Sequence, residues 1–171
     1  MPLAAAAALF GYTFVATVAL AVVPHEPAVI LAGGAHGVWS TAVVATLATV
    51  SSALMDFVAF APFIKRMADR PLLTHGAVGW MRRRFASAPF AVLALSGITP
   101  LPAWPFKAIA FAEHYPLGRY LAATAVGRFP RYVLLAWLGV VTQIPTWVLI
   151  ALFVALMLPS LRTAWIQRRG T

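Results

Sequence analysis

Five ionisable residues sit in or beside apolar runs of this 171-residue chain: Glu26, Asp56, Lys107, Arg128 and Arg131. At the centre of a bilayer-spanning helix an Asp, Lys or Arg costs about 2.5–3.5 kcal/mol, so it faces a cavity or a partner. A carboxylate in such a place can carry a proton or bind a cation. An arginine fork matches the oxygens of a phosphate or carboxylate. Glu26 lies inside Pro24-His25-Glu26-Pro27, where the prolines remove backbone donors and interrupt regular helix. Asp56 follows a stripe of small residues, Ala42, Ala45, Thr49 and Ser52, at alternating spacings of three and four. That stripe admits a close neighbour and turns Asp56 into a bundle. Arg128 and Arg131 share a helix face, with Pro130 between them to kink it. Plainer readings stay open beside these. Glu26 would sit in an outer loop, Asp56 and Lys107 would snorkel at an interface, and the arginines would merely neutralise the acids.

The elements that must position these residues are apolar and long. The chain is 62% hydrophobic and 10% charged, with a mean hydropathy of +0.87. A soluble domain carries about 25% charged residues. A water-facing surface cannot be built from this composition, which implies an all-α integral membrane protein in a single domain, 1–171.

The helical pattern repeats. Pro-x-x-Pro occurs twice, and positions 24, 27 and the later His36 return at 102, 105 and His114, a constant offset of 78. Proline-interrupted hydrophobic segments in corresponding positions of two halves point to a site between inverted repeats. The first repeat covers about 3–64: an apolar segment Leu3–Val23, the break, a short arm Ala28–Ala32 stopping at Gly33-Gly34, and a span Val38–Ile64. A basic loop, 65–84, follows with six Lys or Arg against Asp69. The second repeat covers about 85–142: Phe85–Thr99, a break at Pro100–Pro105, a return over Phe106–Ala112, and a span Leu117–Thr142. A last helix is predicted over 146–165. The expected fold is thus two re-entrant, broken helical hairpins, each followed by a transmembrane helix, with one C-terminal transmembrane helix added.

Charge orients it. The positive-inside rule puts the basic loop, Arg119 and the tail arginines, Arg162, Arg168 and Arg169, in the cytoplasm with both termini. The two breaks then enter from opposite faces of a cell (inner) membrane. Residues 1–23 also resemble a signal peptide. No Lys or Arg precedes Lys65, however, so the charged n-region is missing and the segment is read as a mature helix.

Several chemistries are excluded or disfavoured. Without cysteine there are no disulfides, thiol nucleophiles or Cys-ligated metals. No pair of histidines has ligand spacing, and no catalytic residues, metal or cofactor are expected. The net charge of +9 belongs to membrane orientation and anionic lipid, not nucleic acid. His25, His36 and His114 are read as hydrogen-bonding residues near an interface.

At these residues the chain resembles the DedA family, also called the VTT or SNARE-associated membrane-protein family. The likeness rests on Pro24-His25-Glu26, Asp56 late in the next span, Pro100-Leu101-Pro102, and Gly127-Arg128-x-x-Arg131-Tyr132, over roughly residues 10–142. It implies a lipid flippase or scramblase, for undecaprenyl phosphate or phospholipids, coupled to protons or another ion. Arg128, Arg131 and Lys107 would hold the headgroup phosphate, and Glu26 and Asp56 would exchange protons. Arginines that the family carries around the second-break proline are replaced here by apolar residues near Gly97 and by Ala103. The partners implied are membrane lipids with anionic headgroups, and a homo-oligomer is compatible with the sequence. An ion-coupled exporter of a small soluble solute and a non-transporting accessory membrane protein are the alternative expectations.

Overall fold

A computed structural model describes residues 1–18, 24–67, 85–99 and 104–142, with positions 83 and 148. Among the described residues its main elements are the α-helices α1 (Leu3–Thr17), α2 (Glu26–His36), α3 (Val38–Met67), α4 (Pro89–Ile98), α5 (Trp104–Ala112) and α6 (Leu117–Thr142). Two short helices precede one long one, twice over. At ~1.5 Å per residue, α1, the longest of the short helices, rises ~22 Å, less than the ~30 Å of a hydrocarbon core. The long helices α3 and α6, of 30 and 26 residues, rise ~45 and ~39 Å. Among the described residues, Val38–Pro62 is the one segment long and apolar enough to cross a membrane, with a mean hydropathy of 1.8. The α6 helix has the length but carries Arg119, Arg128 and Arg131.

Three boundaries differ from the sequence expectation. In the segment expected to span from Leu3 to Val23, helix α1 ends at Thr17 with Val18 extended, and residues 19–23 lie outside the described residues. The arm expected over Ala28–Ala32 is longer at both ends, from Glu26 to His36. Pro27 falls in its first turn, where the lost N–H has no intrahelical partner anyway, so the proline starts this helix. Gly33 and Gly34 do not stop it. They lie where α2 meets α6: a Cβ on Gly33 would overlap the backbone of Ala136, and one on Gly139 would overlap the Ile30 carbonyl. Glycine here serves close approach, and the turn comes only at Gly37, at φ 91°. The basic loop begins later than expected, since α3 runs on to Met67. Most of that loop, the tip of the second break and most of the last helix lie outside the described residues.

The main packing pairs follow the repeat. The α1 helix lies on α3 as α4 lies on α6; α2 lies on α6 as α5 lies on α3; and the two long helices pack on each other. Moving each first-half helix forward by the 78-residue offset exchanges these pairs. The short helix after each break therefore docks on the long helix of the other half.

Two apolar clusters result. One gathers Leu9, Val29, Ala42, Ala45, Tyr132 and Ala136. The other gathers Ala53, Leu93, Ile109, Phe111, Tyr120 and Ala123 among its members. Buried Thr46, Thr49 and Ser52 lie between them along α3, and Arg128 lies between them along α6. Outside, Leu47, Val58, Leu134 and Trp137 are exposed. An apolar exterior around a polar seam is the reverse of a soluble protein's arrangement and suits a lipid environment.

Candidate functional site

The seam is built on the buried stripe of α3. Ala42, Ala45, Thr49, Ser52 and Asp56 are all buried, and Asp56 is 1% exposed. A carboxylate so deep needs a counter-charge, and α5 supplies one. Lys107 Nζ donates to Asp56 Oδ2 at 2.7 Å. The pairing follows from the helix exchange, because α5 belongs to the second half and α3 to the first.

The second ion pair lies at the start of α2. Arg131 Nη2 donates to Glu26 Oε1 at 2.7 Å, and Arg131 Nη1 donates to the Thr99 carbonyl at 3.0 Å. The guanidinium thus bridges the first break to the C-terminal end of α4, satisfying a carbonyl that the helix leaves without a partner of its own. In this arrangement Arg131 is engaged by protein on both sides. Again an acid of the first half meets a cation of the second.

Arg128, three residues earlier on α6, is only 8% exposed. Among the described residues it makes no ion pair and no hydrogen bond within bonding distance. Its side chain lines a cavity of about 30 Å³ together with Lys107, Tyr120, Thr124, Thr49 and Ser96. Thr17 at the end of α1 and Gly97 near the end of α4 complete its rim. By volume this space holds roughly two waters. The Tyr120 hydroxyl is buried without a hydrogen-bond partner, and so is the Ser52 hydroxyl one turn before Asp56. A buried cation and an unsatisfied donor around one small cavity make a site for an anion's oxygens.

A hydrogen-bonded row runs beside this cavity. His25 Nε2 lies 2.9 Å from Tyr132 Oη, and Tyr132 Oη lies 2.7 Å from Thr49 Oγ1. The three residues are 4%, 0% and 4% exposed. His25 Nδ1 is 3.9 Å from Glu26 Oε2.

Of the five residues singled out from sequence, four form two ion pairs and Arg128 stands at the cavity. From sequence, Thr49 counts only as a small residue of the stripe, Tyr132 only as the end of the Gly127–Tyr132 pattern, and Tyr120 not at all. A signal existed for two of them: Thr49 is a hydroxyl within a stripe of small residues, and Tyr132 lies four residues after Arg128 on the same face. Tyr120 looks in sequence like any interfacial aromatic. His36 and His114 border the turns that follow α2 and α5, and His114 is at φ 54°. No group of three or more metal-ligating side chains occurs among the described residues.

The sequence pattern of the VTT domain matches residues 23–141, which hold the second arm of the first break and everything through α6. No match was found among curated proteins or among solved structures.

Proposed function

The chain belongs to the VTT-domain family, that of the DedA and SNARE-associated membrane proteins, and from that premise we propose that it moves a lipid with an anionic headgroup across its membrane. One observation carries this reading: Arg128, buried and without an ion-pair or hydrogen-bond partner among the described residues, lines a small cavity with Lys107. Headgroup oxygens would accept from the Arg128 fork and from the Tyr120 hydroxyl, whose proton is not used elsewhere among the described residues. The acyl chains would stay against the apolar exterior of α3 and α6. The cavity is far smaller than a phosphate headgroup, so passage requires it to widen, and the acids supply the control. Protonating Asp56 removes the charge that holds Lys107, and Lys107 Nζ can then turn to the anion beside Arg128. Protonating Glu26 loosens Arg131 in the same way. Proton binding and headgroup binding are linked because each frees what the other uses.

The paired order of helices and the exchanged packing support two re-entrant hairpins in an inverted repeat, entering a cell membrane from opposite faces. In that arrangement the basic loop is cytoplasmic, and α1, as an arm of the hairpin that enters from the outer face, starts on the outer side and not in the cytoplasm expected from charge. The chain crosses the membrane several times in this reading; the last helix expected over 146–165 falls almost wholly outside the described residues.

The test is headgroup exchange in vesicles of phosphatidylethanolamine and phosphatidylglycerol carrying labelled phosphatidylglycerol. Arg128→Ala and Glu26→Gln are expected to insert normally and to slow exchange by at least about tenfold, the cost of losing a charge-assisted contact of about 1.5–3 kcal/mol. Wild-type exchange rates in both variants would end this reading. Flux of a trapped anionic solute without lipid exchange would replace it with a small-solute exporter.

A further inference from the structure

We propose that His25, Tyr132 and Thr49 form a proton relay that joins the Glu26 carboxylate to the cavity beside Arg128. The inference rests on the ion-coupled reading above and adds to it the path by which a proton arrives. Three observations carry it. The row is continuous, with contacts of 2.9 and 2.7 Å between the ring nitrogen, the phenol and the threonine hydroxyl. It is sealed, since all three residues are buried. It also ends at two useful places: Glu26 Oε2 lies 3.9 Å from His25 Nδ1, and Thr49 lines the cavity.

The hydrogen bonds share one direction. Thr49 Oγ1 donates to the Ala45 carbonyl at 2.9 Å, so it accepts from Tyr132. Tyr132 has one proton, which that bond uses, so it accepts from His25. Nε2 of His25 is then the protonated nitrogen, and Nδ1 is the one that faces Glu26. A row of donors aligned in one sense is what proton transfer by successive hops requires.

The step balances without a co-reactant. Glu26, once protonated, gives its proton to His25 Nδ1, across a gap that one water or a rotation of the carboxylate closes. Imidazolium forms as carboxylate forms. His25 then releases its Nε2 proton to Tyr132 Oη, Tyr132 passes its own to Thr49, and Thr49, its hydroxyl turned from the Ala45 carbonyl toward the cavity, gives its own to water there. One proton has entered and one has left. Rotation of the two hydroxyls and of the ring restores the row.

Among the described residues, the charged and titratable groups facing the row come from several helices. Glu26 comes from α2, Arg128 and Arg131 from α6, and Tyr12 from α1, whose hydroxyl donates to the Pro24 carbonyl at 2.9 Å. Beyond Thr49, on the far side of the cavity, stand Asp56 on α3 and Lys107 on α5. From α4 come only Ser96 and the Thr99 carbonyl. A proton delivered by Thr49 therefore arrives near the Asp56–Lys107 pair, the second acid of the proposed cycle.

The experiment uses the full chain in vesicles with a pH dye trapped inside and labelled phosphatidylglycerol in the bilayer. Tyr132→Phe keeps the ring and removes the hydroxyl; Thr49→Val keeps the shape and removes the hydroxyl; Thr49→Ser keeps the hydroxyl. The relay predicts that the first two lower proton uptake under an imposed pH gradient by at least about tenfold, while Thr49→Ser stays near wild type. Lipid exchange measured without a gradient should change little in Tyr132→Phe, whose side chain does not line the cavity. Wild-type proton uptake in Tyr132→Phe and Thr49→Val overturns the relay, as does a wild-type protein that takes up no protons. Proton uptake that depends on Tyr132 in a protein that exchanges no lipid keeps the relay and ends the lipid reading. A loss shared by Thr49→Ser means that shape alone matters, which also overturns it.

Discussion

The two joints that cross between the halves of the chain occupy equivalent positions and are built in opposite ways. Where α2 docks on α6, backbone meets backbone: Gly33 lies against Ala136, and Gly139 lies against the Ile30 carbonyl. Where α5 docks on α3, aromatic rings fill the space. Phe57 meets Phe111 edge-on at 5.3 Å between centroids, and Phe111 meets Tyr120 at 5.4 Å. Each joint carries one ion pair at 2.7 Å. The two halves share the order of helices and the placing of a charge pair, and differ in the means of packing. Helices in backbone contact cannot approach further, and they separate only by losing that contact. A joint of rings can change rotamers and stay closed. The cavity with Arg128 and Lys107 lies beside the ring joint, so the more deformable contact is the one next to the space that has to widen.

The largest difference between the joints should appear in their ion pairs. The Asp56 side chain is 2% exposed and that of Glu26 is 29% exposed. Removing one partner of a buried pair leaves the other charged and desolvated, at a cost of about 3–5 kcal/mol. Lys107→Ala is therefore expected to lower the thermal unfolding midpoint in detergent far more than Arg131→Ala, whose acid keeps contact with solvent and loses closer to about 1–2 kcal/mol. A double-mutant cycle on each pair checks this, with the larger coupling expected for Asp56 and Lys107. Equal couplings would mean that depth does not distinguish the two joints.

Next come the packing residues themselves. Gly139→Ala places a methyl on the Ile30 carbonyl and must push α2 away from α6, a change that costs about 1–3 kcal/mol in a packed interior. Gly97→Ala is a milder control, because its Cβ would stand 3.2 Å from Gly127 and a small shift accommodates it. In the ring joint, Phe111→Leu should cost less than Gly139→Ala, since it forfeits ring contacts worth about 0.5–1.5 kcal/mol each and leaves the helices where they are. Unfolding midpoints of the three variants order these effects. A tolerant Gly139→Ala would show that the first joint is not held by backbone contact.

How much of this was legible in the sequence depends on whether the signal is local. The burial of Asp56 follows from a stripe of small residues at helical spacing, and the limits of α6 match the apolar run Leu117–Thr142. Gly33-Gly34 was misread because glycine serves both a helix end and a close approach. Only the partner, here Ala136 and Gly139 about a hundred positions later, decides which. The same limit hid the pairing. Sequence separates acids in one half from cations in the other, yet matching Glu26 to Arg131 and Asp56 to Lys107 requires knowing that α2 and α5 exchange partners. His25 was expected to hydrogen-bond, and it does. That its partner is Tyr132, and that Thr49 extends the row, are facts of three helices meeting.

The smallest expected effect, that of His114→Gly, comes from a comparison of the turns that end the two short helices, and it bears on how far the two halves are alike. Both turns use a residue at positive φ: Gly37 at 91° after α2 and His114 at 54° after α5. In the second, Tyr115 N–H bonds to the Ala110 carbonyl at 2.9 Å, closing the helix end over a left-handed residue. The two conformations are not alike, because Gly37 has ψ 155°, a region open to glycine alone, whereas the left-handed helical region admits histidine. Gly37→Ala should accordingly cost about 1–3 kcal/mol. His114→Gly relieves a left-handed side chain worth about 1–2 kcal/mol and gives back about 0.5–1 kcal/mol through the freer unfolded chain, for a net gain of about 0.5–1 kcal/mol. Unfolding midpoints should therefore move in opposite directions at these two positions. A loss of stability in His114→Gly would mean that the imidazole makes a contact which the turn needs, and that the two turns are alike in shape but not in what holds them.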